Sequence, residues 1–197
     1  MTGAGADGAV VAADDRVTIR KAPLPGVLLL EPRVFRDERG FFVETYRQEV
    51  LARAGIDTEL VQDNHSRSVR GTVRALHFQI PPGQAKLVRC ARGSVYDVAV
   101  DLRRSSPTFA KWWAVELSDE NHLQVWIPAG FAHGFCVTSE VADVVYRCSA
   151  YYDAALERGL AWDSPELGIP WPTSQPLLSA RDREHPSFGG YGGPWFP

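Results

Sequence analysis

The chain has 197 residues and carries 21 basic and 24 acidic side chains, which leaves a net charge of −3 and no basic stripe of the kind that marks a nucleic-acid surface. The longest apolar run, GVLLL before Glu31, is far too short to span a bilayer, and the first residues lack the basic segment of a secretory signal. The length favours one domain with a substantial core.

Residues 1–16 are small and acidic with no periodicity, which predicts a disordered tail before a single domain over residues 17–188. From residue 17 onward, segments rich in β-branched and aromatic residues predict short strands, and QEVLARAG predicts a helix over residues 48–55 that ends at Gly55. The main predicted strands are VLLLEPRVF (27–35), GFFVETY (40–46), GTVRALHFQ (71–79), AKLVRCAR (85–92), SVYDVAVDL (94–102), KWWAVEL (111–117), HLQVWIP (122–128), GFCVTS (134–139) and ADVVYRCS (142–149).

Turn residues separate these strands at close intervals, as in PPGQ, ARGS and SDEN. This spacing predicts an all-β fold, an antiparallel sandwich or barrel with a few short peripheral helices. After Tyr152 the pattern changes to helical turns and Pro-rich loops, which are predicted to close over the body of the domain. The Gly-rich residues 189–197 are predicted to form a loose tail.

The cysteines Cys90, Cys136 and Cys148 are odd in number, far apart and set in apolar strand segments. This usage predicts buried free thiols in a reducing cytoplasm. No CxxC pair indicates a zinc site.

Metal binding is one chemistry that the polar side chains on these strands suggest. Barrels of the cupin type hold a metal with two histidines two positions apart, a later carboxylate and another histidine after a PxG turn. PAGFAH supplies the last of these with His133, but Gln79 stands where the first pair needs its second histidine. Two separated histidines are a poor ligand set for a transition metal, so no metal site is predicted.

Proton transfer is the other candidate chemistry. His77 titrates near neutral pH and can take a proton from a carbon beside a carbonyl. The Lys86 ammonium can stabilise the enolate that results, and the Tyr146 phenol can return a proton on the opposite face. A carboxylate such as Asp97 needs a partner if it faces inward. The same side chains can equally be hydrogen-bonded barrel residues with no chemical role.

The strand that carries His77 raises a question of geometry. Regular alternation groups His77 with Val73, Ala75 and Gln79 and places Arg74 on the opposite face. Either a bulge intervenes in this strand or Arg74 acts at another place, and the sequence leaves both alternatives open.

Several ordered motifs across residues 22–188 resemble the dTDP-4-dehydrorhamnose 3,5-epimerase family. They are RDERGFFVETY (36–46), QDNHSRSVRGTVRALHFQ (62–79), AKLVRCARGSVYDVAVDLRRSSPTF (85–109), WIPAGFAHGF (126–135), VVYRCSAYYD (144–153), ERGLAWDSPELGIPW (157–171) and LLSARDREHPSF (177–188). The resemblance implies a cupin or jelly-roll fold, a homodimer, and a metal-independent, cofactor-free epimerase. Its substrate would be a dTDP-4-keto-6-deoxyhexose, inverted at C3 and C5 in the cytoplasm without contact with nucleic acid or membrane.

The resemblance also implies roles for individual residues. His77 matches the general base, and Asp182, in SARD, matches the carboxylate paired with it. Lys86 matches the lysine near the sugar carbonyl, and Tyr146 matches the acid that returns the proton.

The binding residues that the resemblance implies fall into two groups. Five of them match groups that would line one subunit's pocket, and the segment RGFFVE (39–44) matches one that a neighbouring subunit brings to the nucleotide. The implied binding residues are Gln62, Asn64, Arg74, His133 and Tyr152 in the pocket, with Arg39, Phe42 and Glu44 in the segment from the neighbouring subunit.

The sequence departs from the family at Ala75, where a glycine is usual, and this methyl group is expected to narrow the sugar pocket. His65, His122 and His185 are expected to be surface or loop residues. Two further readings stay open beside the 3,5-epimerase. One is a mono-epimerase that inverts only C3 or only C5 in another deoxysugar pathway, and the other is a cupin that binds a sugar nucleotide without turnover.

Overall fold

Short segments of alternating apolar and polar residues form the fourteen strands found in residues 8–197, the part of the chain that the computed structural model describes. The strands are β1 (Val10–Ala13), β2 (Val17–Lys21), β3 (Leu28–Pro32), β4 (Val34–Asp37), β5 (Gly40–Val43), β6 (Gln62–Val69), β7 (Val73–Gln79), β8 (Lys86–Arg92), β9 (Ser94–Asp101), β10 (Trp112–Ser118), β11 (Gln124–Ile127), β12 (Phe131–Val137), β13 (Val141–Cys148) and β14 (Glu157–Gly159). Two short helices, α1 (Gln48–Arg53) and α2 (Ala180–Glu184), complete the secondary structure of this part of the chain.

The strands form two large antiparallel sheets and a small hairpin. The first sheet has seven strands in the order β1-β2-β3-β11-β8-β13-β6, and the second has five in the order β10-β9-β12-β7-β14. Strands β4 and β5 pair only with each other. This arrangement confirms the predicted antiparallel all-β fold and is consistent with a jelly roll.

The core has three parts. The largest lies between the two sheets and joins side chains such as Val88 and Val125 from the first sheet to Val95 and Phe135 from the second. A second cluster covers the outer face of the five-stranded sheet, and a third packs α1 against the first sheet. The space between the sheets therefore belongs to the core at most places, and a polar side chain that points into it needs a partner.

Both predicted tails differ from the structure. Residues 10–13 form β1 and pair with β2, because the apolar pair Val10 and Val11 offers an edge strand where the composition predicts disorder. Residues 1–7 of that predicted tail lie outside the described residues. At the other end, the Phe196 ring is 7% exposed within the second cluster, and its carbonyl accepts a hydrogen bond from the Arg104 N–H.

The prediction of a loose Gly-rich tail is therefore wrong. Its glycines alternate with large aromatic residues, and the Trp195 ring contacts the rings of Phe109, Phe188 and Tyr191. Burial of the aromatic rings stabilises this segment by more than the ordering of its glycines costs, because each ring buries a large apolar surface.

Two smaller predictions are confirmed. The short helix α1 begins at Gln48 and ends one residue before its cap Ala54, and Gly55 follows in the left-handed region at φ +82°. All three cysteines are buried and free. Neither helix in residues 8–197 has the length and apolar character needed to cross a membrane.

The packing of the C-terminal aromatic residues predicts a measurable loss of stability. Phe196→Ala is expected to lower the free energy of unfolding by about 3 kcal/mol, because truncation of a buried phenylalanine removes apolar contacts and leaves a cavity. Urea unfolding at one fixed protein concentration measures the change. Leu177→Ala, at a side chain that is 54% exposed, is the control and is expected to shift it by less than about 0.5 kcal/mol. An unchanged Phe196→Ala midpoint would mean that the tail does not stabilise the domain.

Candidate active site

The imidazole of His77 and the carboxylate of Asp182 form a close pair on the five-stranded sheet, one strand in from its β14 edge. His77 lies on β7, and its Nε2 is 2.5 Å from Oδ1 of Asp182, which lies in the first turn of α2. The Ser179 hydroxyl caps α2 and accepts a hydrogen bond from the Asp182 N–H at 3.1 Å. The Asp182 side chain is 4% exposed. A buried carboxylate is thus held against a partly buried imidazole by one helix cap.

The surroundings keep this pair in a defined charge state. Burial of Asp182 opposes its ionisation, but the imidazoles of His185 and His77 outweigh burial and hold the pKa of the carboxyl well below its usual range. Burial of His77 disfavours the imidazolium and lowers its pKa, although Asp182 partly opposes that effect. The pair is therefore a carboxylate beside a neutral imidazole at neutral pH.

A bulge in β7 resolves the position of Arg74. Across the ladder to β12, His133 pairs with His77 but Phe135 pairs with Arg74, so β7 has one more residue than its partner in this interval. The peptide between Ala75 and Leu76 within the bulge is cis. Arg74 and His77 therefore project to the same side of the sheet, and the Arg74 Nε donates a hydrogen bond to the Ser68 hydroxyl at 3.1 Å.

The bulge also corrects the predicted environment of Ala75. Val73 and Ala75 do not share the face of His77, because they pack in the cluster on the outer side of the sheet together with Phe78. The Ala75 methyl lies against Gly134, where an added Cβ would be too close to it. Ala75 therefore does not narrow the pocket beside His77.

A cavity of about 130 Å³ lies beside His77 between the two sheets. Lys86 reaches it from β8 and Tyr146 from β13, and the Lys86 Nζ is 5.9 Å from the centre of the Tyr146 ring. The cavity is lined by Gln62, Asn64, His77, Phe78, Gln79, Gln84, Lys86, Tyr146, Cys148, Tyr152 and Glu157. On the other side of His77, a second pocket of about 460 Å³ includes Arg74, Arg181 and Asp182. The structure thus brings His77, Asp182, Lys86 and Tyr146 to one place.

Burial shifts the pKa values of Lys86 and Tyr146 in opposite directions. Burial lowers the pKa of the Lys86 ammonium, and the more distant Cys148, Asp97 and Glu157 only partly offset this effect. Within the described residues, no carboxylate oxygen lies within 4 Å of Lys86, so the ammonium is left without an ion pair. Burial raises the pKa of the Tyr146 phenol, which therefore stays protonated at neutral pH.

Gln62, Asn64 and Tyr152 form a polar wall of the same cavity. The Gln62 side chain donates to the Asn64 oxygen at 2.9 Å and accepts from the Tyr152 backbone N–H at 2.7 Å. The Tyr152 hydroxyl donates to Glu157 at 2.8 Å, while the residue as a whole is 53% exposed. The three predicted residues are thus linked to one another and face the cavity.

His133 is placed differently from its predicted position in the pocket wall. It is 6% exposed, and its Nε2 is 2.8 Å from Oδ2 of Asp97 on β9. Neither residue lines the cavity. Asp97 therefore has the partner that its inward position requires. His133 pairs with His77 across the ladder between β12 and β7, so the buried pair adjoins His77 in the sheet.

Arg39, Phe42 and Glu44 lie on or beside the β4–β5 hairpin and do not line the cavity of their own chain. Arg39 is ion-paired with Asp37 at 2.5 Å, and Glu44 with Arg47 at 2.5 Å. Phe42 is 68% exposed. The chain alone does not bring these three residues to His77.

Sequence reasoning missed two features of the site. His185 was expected at the surface, but its side chain is 13% exposed and packs edge-on against the His77 ring, with centroids 5.7 Å apart. Arg181 and Glu157 form an ion pair between α2 and β14. The only available signal was spacing, because Arg181 and His185 flank Asp182 within one helical turn.

Comparison with known proteins identifies relatives over most of the chain. The family model described as dTDP-4-dehydrorhamnose 3,5-epimerase matches residues 21–189. The dTDP-4-dehydrorhamnose 3,5-epimerase of Shigella flexneri is 52% identical over 168 residues, which cover 84% of this chain and 93% of that protein. The dTDP-4-dehydrorhamnose 3-epimerase of Streptomyces niveus is 45% identical over 168 residues, which cover 84% of this chain and 81% of that protein.

A solved structure matches the fold. The dTDP-6-deoxy-D-glucose-3,5-epimerase of Legionella pneumophila, determined in complex with dTDP-4-keto-L-rhamnose, superposes with a TM-score of 0.85 and 42% sequence identity. The alignment covers 88% of this chain and 93% of that chain. The similarity therefore extends over the two sheets and not only over short motifs.

The His77–Asp182 pair predicts a specific titration. The His77 imidazole is expected to titrate below the ordinary histidine value of about 6.5, because burial disfavours its charged form. Asp182→Asn is expected to move the midpoint to still lower pH, because the carboxylate is the group that favours the imidazolium. NMR titration of the imidazole signals measures both midpoints, and His77→Asn identifies the resonance. A midpoint that rises in Asp182→Asn would contradict this account of the pair.

Proposed function

Because the chain belongs to the dTDP-4-dehydrorhamnose 3,5-epimerase family, we propose that it inverts C3 and C5 of a dTDP-4-keto-6-deoxyhexose. The protein is an epimerase of the isomerase class, and the proposal concerns its substrate and the roles of its residues. The observation that carries it is the His77–Asp182 pair at a cavity that also receives Lys86 and Tyr146. Proton transfers suffice for such a reaction, so the proposal requires no metal or organic cofactor.

His77 is the proposed general base, and its geometry selects the nitrogen. The Asp182 carboxylate can only accept a hydrogen bond, so Nε2 carries the imidazole proton and Nδ1 holds the free lone pair. Nδ1 then takes the proton from the carbon beside the ketone. Asp182 stabilises the imidazolium that forms and keeps the ring in the productive tautomer.

Lys86 and Tyr146 are proposed to complete the transfer. Removal of the carbon-bound proton places negative charge on the ketone oxygen, and an ammonium without an ion pair is available to stabilise it. The Tyr146 phenol, which burial keeps protonated, donates a proton to the carbon from the opposite side. A base and an acid on opposite faces are what inversion of a carbon centre requires.

The remaining polar residues are proposed to bind the nucleotide part of the substrate. Arg74 presents a guanidinium on the same side of the sheet as His77, and such a group forms paired hydrogen bonds with diphosphate oxygens. Gln62, Asn64 and Tyr152 line the adjoining wall of the cavity. His133 supports the site indirectly, because it is the ladder neighbour of His77 and is held by its hydrogen bond with Asp97.

The β4–β5 hairpin is the proposed contribution of a second copy of the chain. Phe35, Phe41 and Phe42 are 46%, 53% and 68% exposed on a ribbon that pairs with neither large sheet. Exposed aromatic clusters of this kind mark interaction surfaces. In the proposed homodimer, Arg39, Phe42 and Glu44 reach the partner's cavity, where the phenylalanine ring stacks on the base.

The three free, buried thiols support placement of the reaction in a reducing cytoplasm. A second candidate function is inversion at C3 alone, because the Streptomyces niveus relative is a 3-epimerase at 45% identity. The two candidates share every proposed catalytic residue and differ only in how many carbons exchange protons.

Deuterium exchange tests the proposed function. In D₂O, the purified protein is expected to introduce deuterium at both C3 and C5 of dTDP-4-keto-6-deoxyglucose and to form the L-sugar, as followed by proton NMR. Deuterium at C3 alone would assign the mono-epimerase instead. Binding without exchange would leave only a sugar-nucleotide-binding protein and would overturn the proposed activity.

Two variants separate the base from the acid in the same experiment. His77→Asn is expected to slow exchange at both carbons by ~10²- to 10⁴-fold, because both abstractions need the base. Tyr146→Phe is expected to slow formation of the L-sugar while exchange continues, because abstraction does not need the phenol. Tyr96→Phe serves as the control, since the Tyr96 hydroxyl lies outside the cavity.

Mixing of variants tests the hairpin. Arg39→Ala/Phe42→Ala and His77→Asn are each expected to lose most activity, but their hybrid dimer contains one site with an intact core and an intact hairpin. Co-refolded mixtures are therefore expected to recover about a quarter of wild-type activity. Each variant refolded alone is the control, because neither homodimer contains a complete site. No recovery on mixing would show that the hairpin does not act across subunits.

A further inference from the structure

His185 has a buried ring nitrogen that the described residues leave without a hydrogen bond. Its Nε2 is buried and lacks a partner among the described residues, and it lies 3.6 Å from Oδ1 of Asp182. That separation is too long for a hydrogen bond, and buried polar atoms are normally satisfied. The proposed epimerisation uses His77 and Asp182 but gives His185 no role. An unsatisfied nitrogen aimed at a carboxylate is therefore unexplained by the reaction.

Two elements of the fold hold His185 in this position. It follows α2 as its C-terminal cap, three residues after Asp182. On the other side, β14 places Gly159 directly opposite His77 in the ladder. A Cβ at residue 159 would collide with the His185 ring. Glycine at that position leaves the space that the imidazole fills.

Three potential metal-binding atoms converge as a result. One carboxylate oxygen of Asp182 and one ring nitrogen from each of His77 and His185 all lie within 4.8 Å of one another. Two imidazoles and one carboxylate are a ligand set used for Zn²⁺ and for other divalent first-row metals. This set shares only His77 with the cupin metal motif that Gln79 interrupts.

We propose that His77, Asp182 and His185 form a binding site for one divalent transition-metal ion, with Zn²⁺ as the representative, and that the bound ion inhibits the epimerase. The inhibitory part of this inference rests on the proposed function, whereas the binding part does not. Zinc–nitrogen bonds of about 2.0–2.1 Å separate tetrahedral ligand atoms by roughly 3.3 Å. His185 is already near that spacing from Asp182, and His77 and Asp182 need to part by less than about 1 Å. The ring nitrogens of His77 and His185 lie within 4.8 Å of each other and need to approach by at most about 1.5 Å.

Inhibition follows from the tautomer of His77. A neutral imidazole carries a single proton, and the proposed base uses the lone pair on Nδ1 while the proton is on Nε2. A metal ion on Nε2 requires the proton to be on Nδ1. The atom that abstracts the substrate proton then has no lone pair to offer. The ion therefore blocks catalysis without entering the cavity beside Lys86.

The charges near the site favour a moderate affinity. Asp182 supplies one negative charge, and the ion pair with Glu157 offsets part of the charge of the neighbouring Arg181. The Lys86 ammonium and the Arg181 guanidinium both act on His77 and oppose a second cation. Half-inhibition is thus expected at micromolar Zn²⁺ rather than at the trace levels that load a structural zinc site.

The experiment uses untagged, chelator-treated protein and two separate readouts. Titration with Co²⁺ is expected to give visible absorption bands of a tetrahedral site at one ion per chain, and Zn²⁺ is expected to displace it. Turnover is measured in parallel, with each variant compared with its own metal-free rate. Mg²⁺, which prefers six oxygen ligands, is expected to have no effect.

His185→Asn and a matched control decide the result. His185→Asn is expected to weaken Zn²⁺ binding and Zn²⁺ inhibition at least ~10-fold, because loss of a direct ligand exceeds the usual effect of an outer contact. His65→Asn is the control: His65 also lies 3.6 Å from a carboxylate, that of Asp143, but the described residues place no second imidazole with that pair. It is expected to leave both readouts unchanged.

The two readouts separate the possible failures. Active enzyme that binds no Zn²⁺, or His185→Asn protein that binds and is inhibited like wild type, would overturn the inference. Protein that shows no turnover but binds Co²⁺ through His185 would overturn the proposed function and support the site.

Discussion

The hydrogen bond between His77 and Asp182 joins parts of the chain that are 105 residues apart, and the arrangement of the site depends on it. One partner is built into the five-stranded sheet and the other comes from a five-residue helix. Because the carboxylate is buried, it is stable only as the partner of a cationic or hydrogen-donating group. The same burial lowers the basicity of the imidazole and keeps the Lys86 ammonium desolvated. Burial at this end of the space between the two sheets thus affects the charge state of every proposed catalytic group.

The sequence was sufficient to predict most of the strands, because alternation and turn residues are local properties, but β1, β6 and β14 were not among them. It also identified His77, Lys86 and Tyr146 as polar residues in apolar strands, and such residues are candidates for catalysis or binding. Asp182 was identified only through the resemblance to a family, since no local pattern connects a loop acid to a distant strand. The positions of Arg74 and Ala75 could not be predicted for a different reason. One extra residue in β7 reverses the face that each of them occupies relative to His77, and no residue type in that segment predicts a bulge.

The failures at the two ends of the chain have a common cause. Composition indicates the conformational flexibility of a segment, but it does not indicate which part of the fold the segment packs against. The glycines near the C-terminus suggest mobility, yet the aromatic rings between them cover the outer face of the five-stranded sheet. His185 was misjudged for the same reason, because the space that receives it is created by Gly159 on another strand.

The short length of α2 has a consequence for how the site behaves in time. A helix of five residues is far below the length at which helices persist alone in water, so α2 is ordered by its cap and by its contact with β7. Local opening of this segment would separate the carboxylate from His77 without disturbing either sheet. Any ligand that favours the assembled pair then also favours the ordered segment, by mass action. The free energy of ordering residues 180–184 therefore becomes part of the free energy of binding at this site.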